Sequence, residues 1–216
     1  MPSFELEQGL RSRGFPLVAG VDEAGRGPLA GPVVAAAVVL PSGLFARHQS
    51  ALPLWLGLVD DSKLLTPNQR QAALEHIRVH AIAIGVGIAS ALEIDTDGIV
   101  PANSKAMQRA VAALDVVPDH LVVDFVKLPE CGIPFEALVH GDSISYSIAA
   151  ASIVAKVTRD GMMEEADARY PGYGFARHKG YATLEHRRRL ELLGPCPIHR
   201  RSFAPIRTGA VMSREG

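Results

Sequence analysis

Residues 18–39 read VAGVDEAGRGPLAGPVVAAAVV, and this stretch decides the fold because two apolar segments bracket a polar, glycine-rich insert. Val18 and Val21 on one side, and Val33 to Leu40 on the other, are β-branched or apolar, as in two neighbouring core strands. Gly25, Gly27 and Pro28 break that pattern between them. Asp22 and Glu23 stand where the break begins. In a regular strand they point to opposite faces, so both serve one site only if the strand ends or bulges there. Glycine on both sides of Arg26 removes the Cβ atoms that keep a ligand away from backbone amides. Read in isolation, a hairpin with solvated acids at its tip explains the insert equally well.

Outward from this pair, the pattern predicts further strands at Ala81–Ala89 and Leu121–Asp124, beside Leu17–Asp22 and Val33–Leu40. Helices are predicted near Pro67–His80, opened by Thr66, and near Ala102–Leu114. Ser145–Arg169 reads as a long helix with Ile148, Ser152 and Ala155 on one side. Thr183–Leu193 reads as a short helix closed by Gly194 and Pro195. Strands that come early and helices that alternate later fit an α/β sheet of mixed strand direction. Leu44–Leu58 reads as a loop with an apolar patch around Trp55, and residues 207–216 as a frayed tail.

A chain of 216 residues that is 48% hydrophobic supports one domain, here residues 1–206, with a helical basic segment from about 169 to 206. Charge and proline interrupt every apolar run before it reaches the length of a membrane span, and MPSFELEQGLRSRG does not read as a signal peptide. A cytoplasmic protein is expected. Cys131 and Cys196 lie far apart and outside any CxxC pair, the pattern of reduced, inert thiols. No heptad or swapping element stands out, so a monomer is expected.

The net charge of −1 hides an uneven distribution. Residues 169–207 carry nine basic side chains against Glu185 and Glu191, a net of +7, which leaves −8 on the rest. A basic tail on an acidic body suits a protein that grips phosphates at one end and holds metal ions at the other. Arg187 to Arg189 also read as a solvated helix face.

Metal-assisted phosphodiester hydrolysis needs carboxylates converging from separate parts of a fold, because Mg²⁺ and Mn²⁺ prefer oxygen ligands. Asp22 and Glu23 end one predicted strand, Asp124 ends the apolar strand LVVD, and Asp142 follows Gly141 just before the long helix. Singly, Asp124 and Asp142 also read as turn or helix-capping residues. Asp160 lies about five helical turns beyond Asp142, too far along one helix to join it, and reads as a surface or structural acid. Asp60, Asp119 and Glu136 have no pattern behind them. The eight histidines offer no evident acid–base pair, and His178, His186 and His199 read as phosphate neighbours or surface residues.

The word DEAGRGPLAGPV resembles the first signature of ribonuclease HII, the type 2 ribonuclease H. Five further blocks resemble that family in content and order: DSKLLTPNQR from Asp61, DHLVVD ending at Asp124, GDSISYSIAAASIVAKVTRD from Gly141, YPGYGFARHKGY from Tyr170 and GPCPIHRRSFAP from Gly194. The resemblance spans residues 17–206. It implies an α/β, ribonuclease H-like mixed sheet flanked by helices. It also implies an endoribonuclease that hydrolyses the RNA strand of RNA/DNA hybrids. Such an enzyme nicks DNA duplexes 5′ of embedded ribonucleotides by two-metal-ion catalysis, leaving 3′-hydroxyl and 5′-phosphate ends. By the same resemblance, Asp22, Glu23, Asp124 and Asp142 are the catalytic and metal-binding acids for Mn²⁺ or Mg²⁺. Gly25, Arg26 and Gly27 would read the 2′-hydroxyl, Tyr181 would pack on the following deoxyribose, and Lys63 would sit near the scissile backbone. The related type 3 enzyme carries an extra N-terminal domain, for which the 21 residues before Asp22 leave no room.

Four positions depart from the family pattern. Phe125 and Val126 follow the strand acid where glycine and asparagine are usual, Ile144 replaces a lysine in GDSIS, and Gly98 stands at an asparagine position. These changes leave the acids intact but bear on rate and metal preference. They also leave open a junction-binding protein that has lost turnover.

Overall fold

The two apolar segments form β1 (Val18–Ala24) and β2 (Val33–Val39), paired antiparallel with Asp22 opposite Ala36 and Glu23 opposite Ala35. They sit in a computed structural model that describes residues 1–45, 51–124 and 131–207. β3 (Ala83–Ala89) pairs antiparallel with β2, while β4 (His120–Asp124) runs parallel to β1 and β5 (Phe135–Leu138) parallel to β4. The sheet order is therefore β3-β2-β1-β4-β5, the expected mixed sheet. β1 runs on past the glutamate, so Asp22 and Glu23 take opposite faces, as regular pleating demands.

Helices cover both faces. They are α1 (Glu5–Ser12), α2 (Pro67–His80), α3 (Ala91–Asp97), α4 (Ile99–Ala112), α5 (Tyr146–Arg169), α6 (Phe175–His178) and α7 (Leu184–Leu193). Val18, Ala36, Val38 and Val122 pack with α5, α2 and α1, whereas Ala19, Val21, Ala35, Ala37, Leu121 and Val123 pack with α4. α5 lies so close to β1 that a Cβ on Gly20 would stand 2.0 Å from the carbonyl carbon of Ser147. Glycine is needed there for approach, not for a turn. Thr66 and Thr183 cap α2 and α7, and Ser145 caps α5, each accepting a backbone N–H with its side chain.

The sequence reading passes over α1, α3, β5 and α6. α1 and α6 are short and β5 has four residues at a sheet edge, so periodicity is weak in each. α3 did carry a signal: Ser90 and Glu93 form a reciprocal capping box. Trp55 is buried within a short 3₁₀ turn and stacks on His80, while residues 46–50 of the expected loop lie outside the described residues. Most of the expected frayed tail, residues 208–216, lies outside them as well. No helix among the described residues is long and apolar enough to cross a membrane.

One reading needs correction. His178, His186 and His199 are neither surface residues nor placed for a phosphate: they are 8%, 0% and 1% exposed. Together with Tyr173, Phe175, Leu190 and Cys196 they form the small core under α6 and α7. His186 and His199 share a hydrogen bond of 3.1 Å between their Nε2 atoms, and His199 Nδ1 lies 3.1 Å from Cys196 Sγ. Each imidazole spends one edge on a neighbour and its faces on aromatic rings, so burial costs less than a lone histidine suggests. Burial pushes the Cys196 thiol up, which keeps it protonated and unreactive.

Two outcomes follow from this packing. Gly20→Ala drives a methyl into the α5 backbone and lowers stability by about 3 kcal/mol or more, read from denaturant unfolding. Burial and the adjacent His186 hold His199 down to about 4, below its ordinary value of 6.5. The unfolded chain therefore binds more protons in that window, and His199 contributes stability that is lost as pH falls from 6.5 towards 4. His199→Gln removes this loss, of the order of 3 kcal/mol, so calorimetry across the window shows wild type falling relative to the variant.

Candidate active site

β1 and β4 are in parallel register up to Val21 opposite Val123, so the next residues, Asp22 and Asp124, stand side by side at the carboxyl ends. Both lie on the α5 face. Asp142 reaches them from the 3₁₀ turn Gly141–Ser143 that precedes α5, and Asp124 Oδ1 accepts the Gly141 N–H at 2.7 Å, which ties that turn to β4. Each of the three aspartates offers an oxygen within 4.8 Å of the others. Asp22 and Asp142 are 3% and 1% exposed, and Asp124 is half-buried.

Glu23 is not in that set of three. It faces the α4 side, with Oε1 3.4 Å from Arg26 and Asn103 facing it from α4. Its Oε2 is buried without a hydrogen-bond partner among the described residues. Burial pushes the Asp22 carboxyl well above the usual range, and the charges of Glu23 and Asp124 add to that; the Glu23 N–H, at 2.7 Å, opposes it. Burial also raises Glu23 and Asp124, against the Arg26 charge in one and the Gly141 N–H in the other. Like-charged aspartates gathered in a desolvated corner, with the raised Glu23 carboxyl close by, fit a divalent cation that would neutralise them.

Lys63 comes from the turn before α2, with Nζ 2.7 Å from Asp142 Oδ2 and 3.7 Å from Asp61 Oδ1. Burial alone would lower its pKa, but the Asp142 bond and the surrounding acids outweigh it and raise it. Arg70 pins this turn by donating to the carbonyls of Ser62 and Leu65. Asp160, expected to be a surface or structural acid, is structural: it pairs with Lys156 at 2.7 Å and with Arg70 at 3.7 Å. Asp119 caps the Leu17 N–H and Glu136 pairs with Arg13, both away from the three aspartates.

The glycine insert curls beside this corner. Gly25 adopts φ 97° and is buried, Arg26 is half-buried, and Gly27 is exposed with open space where a Cβ would stand. Tyr181 is 44% exposed on the α6–α7 connection. Of the departures, Ile144 is exposed at the start of α5 and Gly98 takes φ 87° between α3 and α4, while Phe125 and Val126 lie outside the described residues.

The model of the family described as Ribonuclease HII matches residues 19–206. This chain belongs to the ribonuclease HII family. Curated ribonuclease HII from Geobacillus kaustophilus is 54% identical over 201 residues, 93% of this chain and 73% of that one. Ribonuclease HII from Chloroflexus aurantiacus is 50% identical over 206 residues, 95% of each. Among solved structures, ribonuclease H2 from Pyrococcus horikoshii superposes with a TM-score of 0.75 at 27% identity, covering 93% of this chain and 100% of that one. The chain is therefore a metal-dependent nuclease that hydrolyses RNA in RNA/DNA hybrids.

Against that identity, the residues that reading by motif misses are those acting through others. Ser152, buried in α5, faces Asp22 and shares a 2.7 Å hydrogen bond with Ser62. Asn103 faces Glu23. Arg159 and Arg200, both fully buried, hold the glycine insert from behind. A polar residue on an otherwise apolar helix stripe, as at Ser152, was the available signal.

The raised acids fix the sign of a pH effect. The folded chain binds more protons than the unfolded chain as pH rises above the ordinary carboxylate range, so these groups remove stability as pH climbs through their raised values. A cation competes with those protons. The rise in Tm on adding Mn²⁺ or Mg²⁺ is therefore larger at pH 8 than at pH 5.5, and Asp22→Asn raises Tm without metal while losing most of the metal-induced rise.

Proposed function

We propose that this member of the ribonuclease HII family, besides cutting the RNA strand of hybrids, nicks DNA duplexes on the 5′ side of an embedded ribonucleotide. The products are 3′-hydroxyl and 5′-phosphate ends. The observation that carries this reading is the convergence of Asp22, Asp124 and Asp142 beside a glycine insert with an exposed, Cβ-free face. In this reading Asp22, Asp124 and Asp142 hold two divalent ions, Mg²⁺ or Mn²⁺, and Glu23, whose charge already acts on Asp22 and Asp124 from the other side of β1, is the fourth acid of the set. When bound, the ions supply the charge that activates a water for attack on phosphorus and neutralises the departing 3′ oxygen.

The chain's own groups do the rest. Asp124 and Gly141 fix the turn that presents Asp142, so the acids are placed before substrate arrives. Backbone groups of Gly25, Arg26 and Gly27 hydrogen-bond the 2′-hydroxyl, the one group that separates RNA from DNA at a site. The exposed Tyr181 ring packs on the next sugar and tolerates a missing hydroxyl, which favours an RNA-to-DNA junction. Lys63 holds Asp142 with one contact and faces the scissile backbone with its remaining donors. Every acid comes from one chain, which supports a monomer. We assign the protein to the cytoplasm because its substrates are cellular duplexes of RNA and DNA.

The deciding experiment is cleavage of a labelled DNA duplex carrying one ribonucleotide, and of an RNA/DNA hybrid, with Mg²⁺, Mn²⁺ or chelator. Wild type gives a metal-dependent nick 5′ of the ribonucleotide, and Asp124→Asn lowers the rate at least 100-fold. Tight binding without product under either metal overturns the reading in favour of a junction-binding protein. Cleavage of the hybrid alone overturns the nicking activity.

A further inference from the structure

We infer that Arg159 of α5 and Arg200 are positioning residues for ribonucleotide selection, which fix the glycine insert and Tyr181 at one separation. This rests on the substrate roles proposed above for those two elements. Both guanidinium groups are fully buried, and neither makes an ion pair among the described residues. A buried charge is costly unless every N–H finds an acceptor. Here the acceptors are main-chain carbonyls.

Arg200 donates to Gly31 at 3.0 Å, Arg26 at 2.8 Å and Gly25 at 2.5 Å. Arg159 donates to Pro32 at 2.9 Å, Ala30 at 3.1 Å and Lys179 at 3.0 Å. Five of these carbonyls belong to the insert, residues 25–32. The sixth belongs to Lys179, two residues before Tyr181 and itself held at φ 51°. The Arg159 guanidinium also lies 5.8 Å from the centre of the Tyr181 ring. Arg159 therefore touches both substrate elements at once, whereas Arg200 directs its side-chain hydrogen bonds to the insert.

The two glycines beside Arg26 then have different reasons. A Cβ on Gly25 would stand 2.0 Å from Arg159 Nε, so Gly25 makes room for the arginine. Gly27 is exposed and open, so it makes room for substrate. With the Gly25 and Arg26 carbonyls committed inward, the spacing between the insert and the tyrosine is set by the rigid guanidinium fork. Lysine keeps the charge but cannot reproduce that geometry.

The test uses Arg159→Lys and Arg200→Lys, each in wild type and in a Tyr181→Ala background. The readouts are kcat and KM on the single-ribonucleotide duplex. Binding of an RNA/DNA hybrid against an all-DNA duplex, in Ca²⁺, is measured as well. In the wild-type background each lysine variant raises KM about tenfold with kcat changed less than threefold. Hybrid selectivity falls about tenfold, and the Mn²⁺ titration is unchanged. In the Tyr181→Ala background the Arg159→Lys effect shrinks to less than threefold, while the Arg200→Lys effect persists, because of the two it is Arg159 that lies against the tyrosine ring. Equal Arg159→Lys effects in both backgrounds, or a loss that appears only as lower Tm with selectivity intact, overturn the inference. If Arg159→Lys does not fold, unchanged selectivity in Arg200→Lys overturns it. The binding readout separates this outcome from failure of the cleavage proposal, since it needs no turnover.

Discussion

Parallel register between β1 and β4 brings two aspartates side by side at the carboxyl ends of buried strands, where their charges repel and water is scarce. The pairing of the two strands does not itself relieve that repulsion. The surroundings do so in part: the Glu23 N–H meets Asp22, the Gly141 N–H meets Asp124, and Lys63 meets Asp142. What remains is the affinity of the corner for a divalent ion. A site of this kind keeps its folded chain less stable without metal than with it, a usual cost of pre-arranged charge.

α5 is the element through which the parts communicate. At its start Ser145 and the Ser147 N–H meet the buried Glu7 carboxylate, which fastens α1 to the turn that presents Asp142. Its middle lies against Gly20 and places Ser152 beside Asp22. Further along, Arg159 reaches the glycine insert and Tyr181, while Asp160 reaches Arg70 and so the turn of Lys63. One rigid helix thus carries acids, insert and tyrosine in a fixed relation.

The three buried histidines show where motif reading misleads. In the sequence they stand among arginines, which suggested phosphate contact or solvent. Within α7 the fold turns Arg187 to Arg189 outward and His186 inward with Leu190, while beyond that helix His199 and Arg200 are both buried. Identity of the residue did not settle the face: for His186 helical phase against the Met163 and Phe175 core did, and His178 and His199 follow from their ring contacts with Phe175.

The sequence by itself determined the strands around the glycine insert, the capped helices at Pro67 and Thr183, the long helix after Ser145, and the candidate acids. These are local facts, written in periodicity, capping residues and glycine placement, or in motifs whose order identifies the family. Only the tertiary structure decided that Asp22, Asp124 and Asp142 converge while Glu23 turns to the opposite face. It alone showed that Arg159 and Arg200 spend their donors on the insert. Register between strands far apart in the chain, and the burial of a charge against backbone carbonyls, depend on long-range packing that no local pattern encodes.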